Sequence, residues 1–318
     1  MPSARRTLLA VAVAGSITAG STGSAQAATG PPTESFAAAF ATSLVAPELD
    51  TPGANDPTCK PTAARPRPVV LVHGTWENRY DNWASLAPRL KRAGYCVFAL
   101  NYGDDARSPA SYLPSLKGTG DIRDSAAELA TYVTKVRGWT GAAQVDIVGH
   151  SQGGLLARQY LRFNGGANPS DPSQNVVKRL VTLGATHHGT TLSGIATLAQ
   201  TFGLLGAAEP LLGTAAAQQV RGSSFLQTLN AGGDTLPGVD YTVIATRYDQ
   251  VTTPYRSTFL TAGPGATVRN VTIQDGCPID LSDHLSMSNG PRTAGLVRNG
   301  LEPEAPRTAP CLPKAPVL

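Results

Sequence analysis

Charged side chains make up only 15% of this 318-residue sequence, cysteine occurs four times and histidine five times. With so little charge and 41% hydrophobic residues, the chain is not a solvated disordered polymer, and it has ample material for a buried core. It also lacks a long apolar run. The stretch holding Leu8, Leu9, Val11, Val13 and Ile17 is broken by Gly15, Ser16, Thr18, Gly20 and Ser21, short of the roughly 20 apolar residues that a membrane span requires. No transmembrane segment is expected in the mature chain. No two cysteines form a C-x-x-C pair, which argues against structural zinc, and no oxygen-rich D-x-D loop suggests calcium. Neither a metal nor another cofactor is expected. The formal net charge is +4, and Arg5 and Arg6 carry two of those charges in a segment read below as removed. A nearly neutral body is a poor match to nucleic acid.

What is present begins with a leader. Arg5-Arg6, the short apolar run and Ala25-Gln26-Ala27 follow the basic, apolar and A-x-A order of a secretory signal peptide. Cleavage is expected after Ala27, by the general or the twin-arginine route, and the protein is expected to be secreted and extracellular. An even cysteine count in an exported chain predicts two disulfides among three possible pairings. Cys59 lies just before the first expected strand and Cys96 within the next, so these two are expected to pair. Cys277 and Cys311 would then clip a proline-rich tail, 301–318, onto the domain.

The body, 28–318, reads as one domain. An N-terminal strap, 28–64, carries Phe36, Phe40 and Leu44 at helical spacing. From Val69 onward, short apolar runs alternate with helical patterns. Strands are expected at 69–72, 95–101, 145–148, 179–183, 241–246 and 267–274, and helices at 125–136 and 152–163. Apolar runs without two-residue alternation, separated by helices, describe a mostly parallel, doubly wound α/β sheet covered on both faces. The segment of about 186–239 has no strand pattern but has Leu192, Ile195, Leu198, Phe202, Leu204 and Leu205 at helical spacing. A connection that long is expected to be a helical lid or the wall of an acyl pocket, although the same apolar face would suit core helices.

The strand at 145–148 runs into Gly149-His150-Ser151-Gln152-Gly153-Gly154 and then into a helix. A G-x-S-x-G between strand and helix is the nucleophile elbow of α/β hydrolases. It needs glycine two residues before and two after the serine, because side chains there would collide on the strained turn that lifts the hydroxyl above the sheet. A serine also needs a base, and histidine suits neutral pH. In this fold the partners follow in the order serine, acid, histidine, which selects His284. His150 adjoins the nucleophile on the elbow and points elsewhere, His73 ends the first strand and belongs to another element, and His187 and His188 read as a polar rim around the pocket. The acid that fixes the imidazole is expected to be Asp249, just beyond the strand at 241–246, with Asp283 as the alternative. Asp240 stands at the wrong end of that strand. The donors for the developing oxyanion are expected to be the backbone N–H groups of Gln152 and Thr75, the latter in the His73-Gly74-Thr75-Trp76 loop. Trp76, His187, Leu192 and Ile195 are the candidate substrate contacts.

These motifs, together with Asn82-Trp83, GYCVFALNYG, RLVTLGATHHGTT and TRYDQVTTPY, resemble the secreted class 2 lipases of bacteria over roughly 57–287. More loosely they are similar to yeast lipase B, which lacks a histidine before its elbow serine, where this chain has His150. The resemblance implies an α/β-hydrolase fold and cofactor-free hydrolysis of carboxylic esters. It puts the nucleophile at Ser151, the acid at Asp249, the base at His284 and the oxyanion donors at Thr75 and Gln152. The expected substrate is a lipid ester, most simply a triacylglycerol, met at a lipid–water interface by a monomer. A polyester or cutin depolymerase and a short-chain esterase would use the same three residues, and a binding protein of this fold would usually have lost one of them.

Overall fold

The computed structural model describes residues 27–104, 113–204 and 212–317. The leader call, apart from Ala27, and Leu205 of the helical segment lie outside the described residues. Six strands form one parallel sheet: β1 (Val69–Val72), β2 (Val97–Ala99), β3 (Val145–His150), β4 (Val177–Leu183), β5 (Asp240–Ala245) and β6 (Thr267–Thr272). Their order is β2-β1-β3-β4-β5-β6, and every pairing is parallel. This is the α/β-hydrolase arrangement. β1 and β3 are buried along their whole length, which is why β1 is a continuous apolar run rather than an alternating one; in β3 the run is interrupted by Asp146, which pairs with Arg67. β6 closes one edge with exposed Thr267, Arg269 and Asn270, polar residues that discourage pairing with another chain.

The helices are α1 (Phe36–Val45), α2 (Arg79–Trp83), α3 (Leu86–Arg92), α4 (Ile122–Thr140), α5 (Gln152–Phe163), α6 (Leu192–Thr201), α7 (Thr214–Gln218), α8 (Ser224–Asn230) and α9 (Pro291–Leu301). Strand geometry sends successive side chains to opposite faces, and the two cores follow from that alternation. Val70 and Val72 of β1 join Ile147 of β3 under α4 and α5, with Leu129, Leu155 and Leu156. Val69 and Leu71 join Val148 and Val181 under α3 and α9, with Leu90 and Val297. Each leucine or valine so buried contributes about 1.5–3 kcal/mol. The helix expected at 125–136 is longer at both ends. Asp121 caps its first turn by accepting from Arg123 N–H, and Gly141, at φ 74°, ends it.

Two helical stretches had no counterpart in the sequence reading. One is α2 with α3, introduced by Asn78 and Asp81 in a reciprocal capping box. The other is α9, which begins at Pro291 and ends at Leu301. Between 186 and 239 the described residues hold helices and no strand of the sheet. Both disulfides pair as expected, Cys59 with Cys96 and Cys277 with Cys311. The tail is also bonded to the loop before α9, since Leu281 N–H donates to the Lys314 carbonyl at 2.9 Å and Val317 N–H to Asp283 Oδ2 at 2.5 Å.

The chain runs from β1 outward to β2 and then returns to β3 on the other side of β1. Loops leaving the carboxyl ends of β1 and β3 therefore part in opposite directions and open a crevice, the usual ligand position in such sheets. The loop after β1 begins at His73, and the turn after β3 begins at Ser151.

Candidate active site

Ser151 has φ 51° and ψ −122°, in the left-handed half of conformational space that costs a side-chain-bearing residue about 1–2 kcal/mol. The glycines around it explain how the turn closes. A Cβ on Gly149 would lie 2.6 Å from the Gly153 carbonyl carbon, one on Gly153 would overlap the Val72 carbonyl oxygen, and one on Gly154 would come to 2.5 Å from Ala185 Cβ. Backbone bonds from Ser151 N–H to the Leu183 carbonyl (2.8 Å) and from Gly154 N–H to the Ser151 carbonyl (3.1 Å) fix the turn.

The structure brings Ser151, His284 and Asp249 together. Ser151 Oγ is 2.9 Å from His284 Nε2. His284 Nδ1 is 3.0 Å from both carboxylate oxygens of Asp249. Asp249 Oδ1 in turn accepts from the N–H groups of Val251 (2.9 Å) and Thr252 (2.7 Å). A carboxylate on Nδ1 keeps the proton there and leaves the Nε2 lone pair facing the hydroxyl. Ser151 is 2% exposed and His284 1%, so the cluster sits in a low-dielectric interior where such bonds are stronger. The other acids are committed elsewhere. Asp283 Oδ1 accepts from Ser286 N–H and Oγ, and Asp240 pairs with Lys178 at 2.9 Å, at the far end of β5. Gly184, which sequence reasoning passed over, lies against the cluster. At φ +52°, a Cβ there would stand 3.1 Å from Asp249 Oδ2 and 3.2 Å from His284 Nδ1.

On the opposite side of the serine, Thr75 Oγ1 accepts from the side-chain amides of Gln152 (2.9 Å) and Gln219 (2.8 Å). Gln152 is the first residue of α5, so its N–H has no intrahelical acceptor. Among the described residues, neither this N–H nor that of Thr75 donates to a protein acceptor. Gln219, which locks the Thr75 hydroxyl from α7's end, had no signal in the sequence beyond a polar residue in an apolar segment.

The four candidate substrate contacts separate. Trp76 and Ile195 are buried together in a cluster with Phe36, Leu198, Phe202, Val251 and Leu285. Trp76, Val251 and Leu285 each follow Thr75, Asp249 or His284 by one or two residues, so the cluster adjoins the polar group from three loops at once. Leu192 is 71% exposed at the start of α6 and does not join it. His187 is fully buried, its Nε2 3.2 Å from Thr182 Oγ1. Burial and the nearby Arg158 hold its pKa well below the ordinary value, so it is a neutral interior group. The rim reading does not fit it, because its imidazole is fully buried against Thr182 rather than at a pocket edge. His188 is half-buried and bridges Asp234 (2.9 Å) and the Ser257 carbonyl (2.8 Å), which likewise removes it from the site. Among the described residues, no three His, Cys, Asp or Glu side chains are grouped to hold a metal ion, and no helix is long and apolar enough to cross a membrane.

Residues 66–290 match the family described as Lipase (class 2), and that span contains Thr75, Ser151, Asp249 and His284. The chain belongs to the class 2 lipase family. Triacylglycerol lipases from Pseudarthrobacter phenanthrenivorans and Burkholderia plantarii are each 28% identical over 132 residues, 40% of this chain. The alignments span 35% and 31% of those relatives, about a third of their length. Among solved structures, Aspergillus fumigatus lipase B is similar with a TM-score of 0.60 at 20% identity, over 81% of this chain and 56% of that one. The mature form of Bacillus licheniformis lipase BlEst2 follows with a TM-score of 0.51 at 20% identity, over 77% and 96%. At that identity the likeness speaks for the α/β-hydrolase fold of this class 2 lipase family member.

Proposed function

We propose that this protein is a secreted serine hydrolase of carboxylic esters with fatty-acyl groups, triacylglycerols foremost, acting through an acyl-enzyme on Ser151. The observation that carries the reading is the unbroken chain from Asp249 through His284 to the Ser151 hydroxyl, with contacts of 3.0 and 2.9 Å. Ser151 Oγ bonds to the ester carbonyl carbon while its proton passes to His284 Nε2. The carbonyl oxygen becomes an oxyanion and is met by the N–H groups of Thr75 and Gln152, each such donor being worth about 2.7–4 kcal/mol in the transition state. Collapse of the tetrahedral species breaks the bond to the alcohol, which takes the proton from Nε2. Water then attacks the acyl group, gives a proton to Nε2, and the acid leaves as Ser151 regains its hydrogen. Asp249 stays ionised and stabilises the imidazolium.

The apolar cluster of Trp76, Ile195, Phe202, Val251 and Leu285 beside these groups supports a long acyl chain. Phe36 and Phe40 of α1 pack on Phe202, so α1 of the strap and α6 with Phe202 together cover the site as pocket wall and lid. The near-complete burial of Ser151 and His284 favours such a cover over the open cleft that a polymer-degrading enzyme would use. Export by the leader at 1–27 and action as a monomer at a lipid–water interface complete the proposal. A nitrophenyl ester series from acetate to palmitate tests it. Turnover rising toward the longer chains, and lost in Ser151→Ala, is the expected result. Turnover confined to acetate refutes the fatty-acyl reading, and release of soluble monomers from a polyester film favours depolymerase action instead.

A further inference from the structure

A second buried polar group lies beneath the first, and the proposed reaction does not use it. Glu77, 1% exposed, and His150, fully buried, meet at 2.8 Å between Oε2 and Nδ1. Glu77 Oε2 also accepts the Gly74 N–H at 2.9 Å, and its Oε1 accepts from Asn82 Nδ2 at 3.0 Å. On the other side of the ring, His150 Nε2 is 2.9 Å from the His284 carbonyl oxygen. A carbonyl can only accept, so Nε2 carries hydrogen. Nδ1 is flanked by Glu77 Oε2, which calls for hydrogen there, and by Asn82 Nδ2 at 2.9 Å, which donates to Glu77 Oε1.

We propose that Glu77 and His150 are positioning residues for the acyl transfer proposed above, a buried carboxylate–imidazolium pair that ties the loop of the base to the loop of the oxyanion donors. The inference rests on that reading. His150 immediately precedes Ser151, its Nε2–H holds the main chain at His284, and Glu77 holds the peptide that leads into Thr75. Three loops that must keep register within a few tenths of an ångström therefore meet on one ion pair. Gly74 shows how close the packing is: a Cβ there would collide with Glu77 Oε2 and stand 3.1 Å from Ser151 Cβ. The charged groups facing the pair are Asp249 and His284 on the side of the serine, and Asp81 on the side of Glu77. Burial opposes the charged ring, but the charge and hydrogen bond of Glu77 outweigh it and raise the His150 pKa. Burial, and then Glu77, push the pKa of Asp81 well up, which keeps a second negative charge off the pair.

Removing one member of a buried ion pair is strongly destabilising because the other charge is stranded, so the test separates stability from catalysis. His150→Phe keeps ring volume but deletes the tether to His284 and strands Glu77. Glu77→Gln alone keeps that tether, and the double variant Glu77→Gln with His150→Phe removes the stranded charge while still lacking the tether. The expected result for Glu77→Gln, which keeps the tether to His284 but weakens the hold on the Gly74 N–H, is a kcat about three- to tenfold below wild type. The double variant should regain thermal stability over His150→Phe, yet its kcat on a short nitrophenyl ester should stay 10–100-fold below that of Glu77→Gln, with KM within threefold. A kcat that recovers together with stability overturns the positioning role. Nitrogen-15 shifts of the wild-type histidines followed across pH give a readout independent of turnover. The His150 ring should hold its second proton to higher pH than an ordinary imidazole, and a ring that loses it at lower pH overturns the pair whatever the protein hydrolyses. Absence of any Ser151-dependent hydrolysis in wild type would instead fault the proposed reaction.

Discussion

Gly184→Ala places a single methyl group against Asp249 and His284, the two residues proposed to activate the serine. Glycine at φ +52° becomes alanine in the left-handed region, at a cost of about 1–2 kcal/mol, partly offset by about 0.4–1 kcal/mol from the stiffer unfolded chain. A net loss of about 1 kcal/mol lowers Tm by only a few degrees in a protein of this size. The effect on activity should be larger. The new Cβ would lie 3.1 Å from Asp249 Oδ2, 3.1 Å from Met287 Sδ and 3.2 Å from His284 Nδ1, closer than ordinary van der Waals contact. Asp249 and His284 must retreat by a few tenths of an ångström, and His284 Nε2 now stands 2.9 Å from Ser151 Oγ. A 1 Å displacement at a reacting centre costs about 100-fold, so about tenfold in kcat is expected, with KM unchanged because nothing that would touch the acyl chain has moved. Steady-state kinetics on a short nitrophenyl ester, with urea unfolding of the same preparations, measures both effects. A variant that loses about 1 kcal/mol of stability but keeps kcat within twofold would show that the groups around Asp249 are not held as tightly as described.

Asp249→Asn should lower kcat by about 10⁴, since a triad carboxylate replaced by its amide leaves the imidazole in the wrong tautomer; single-turnover kinetics would reveal a smaller fall, and with it a different acid. Replacing Cys277 and Cys311 by alanine opens a link spanning 34 residues, and chain entropy assigns such a link about 3–4 kcal/mol. A loss of unfolding free energy in urea below about a quarter of that would mean that the tail bonds at Leu281 and Val317 hold the segment alone. Burial lowers the pKa of His73 from 6.5 to about 4. The unfolded chain therefore takes up this proton below pH 6.5 while the folded one resists until about 4. Its contribution to stability is whole above pH 6.5 and is lost as pH falls through 4. Urea midpoints between pH 7.5 and 4.5 should fall less steeply in His73→Asn than in wild type, and equal slopes would contradict the assignment.

The parts of the fold that the sequence displayed were those where one local rule was unopposed. β1 is buried on both faces, so its apolar run was plain, and the serine turn announces itself because a side chain at Gly149, Gly153 or Gly154 would collide with its neighbours. α2 and α3 were missed because Arg79–Trp83 is only five residues long and mostly polar, although Trp83, Leu86 and Leu90 carry a helical spacing. α9 contains Gly295 and Gly300 and begins at Pro291, which reads as a loop until Ala294, Val297 and Leu301 are taken together. Gly184 and the Glu77–His150 pair are legible only in three dimensions. Each owes its place to residues more than sixty positions away, and a carboxylate or glycine at the end of a strand looks the same whether it faces solvent or a reacting group. His187 misled for the converse reason, since a histidine beyond a strand end suggests a rim until its ring is seen fully buried against Thr182.

The most direct measurement is covalent labelling by a fluorophosphonate, read by intact mass and peptide mapping. The expected result is one adduct per chain on the peptide that bears Ser151, formed in step with the loss of ester hydrolysis, slowed in His284→Ala and absent in Ser151→Ala. Hydrolysis that survives in Ser151→Ala, or an adduct on any other residue, would contradict an acyl-enzyme at this turn.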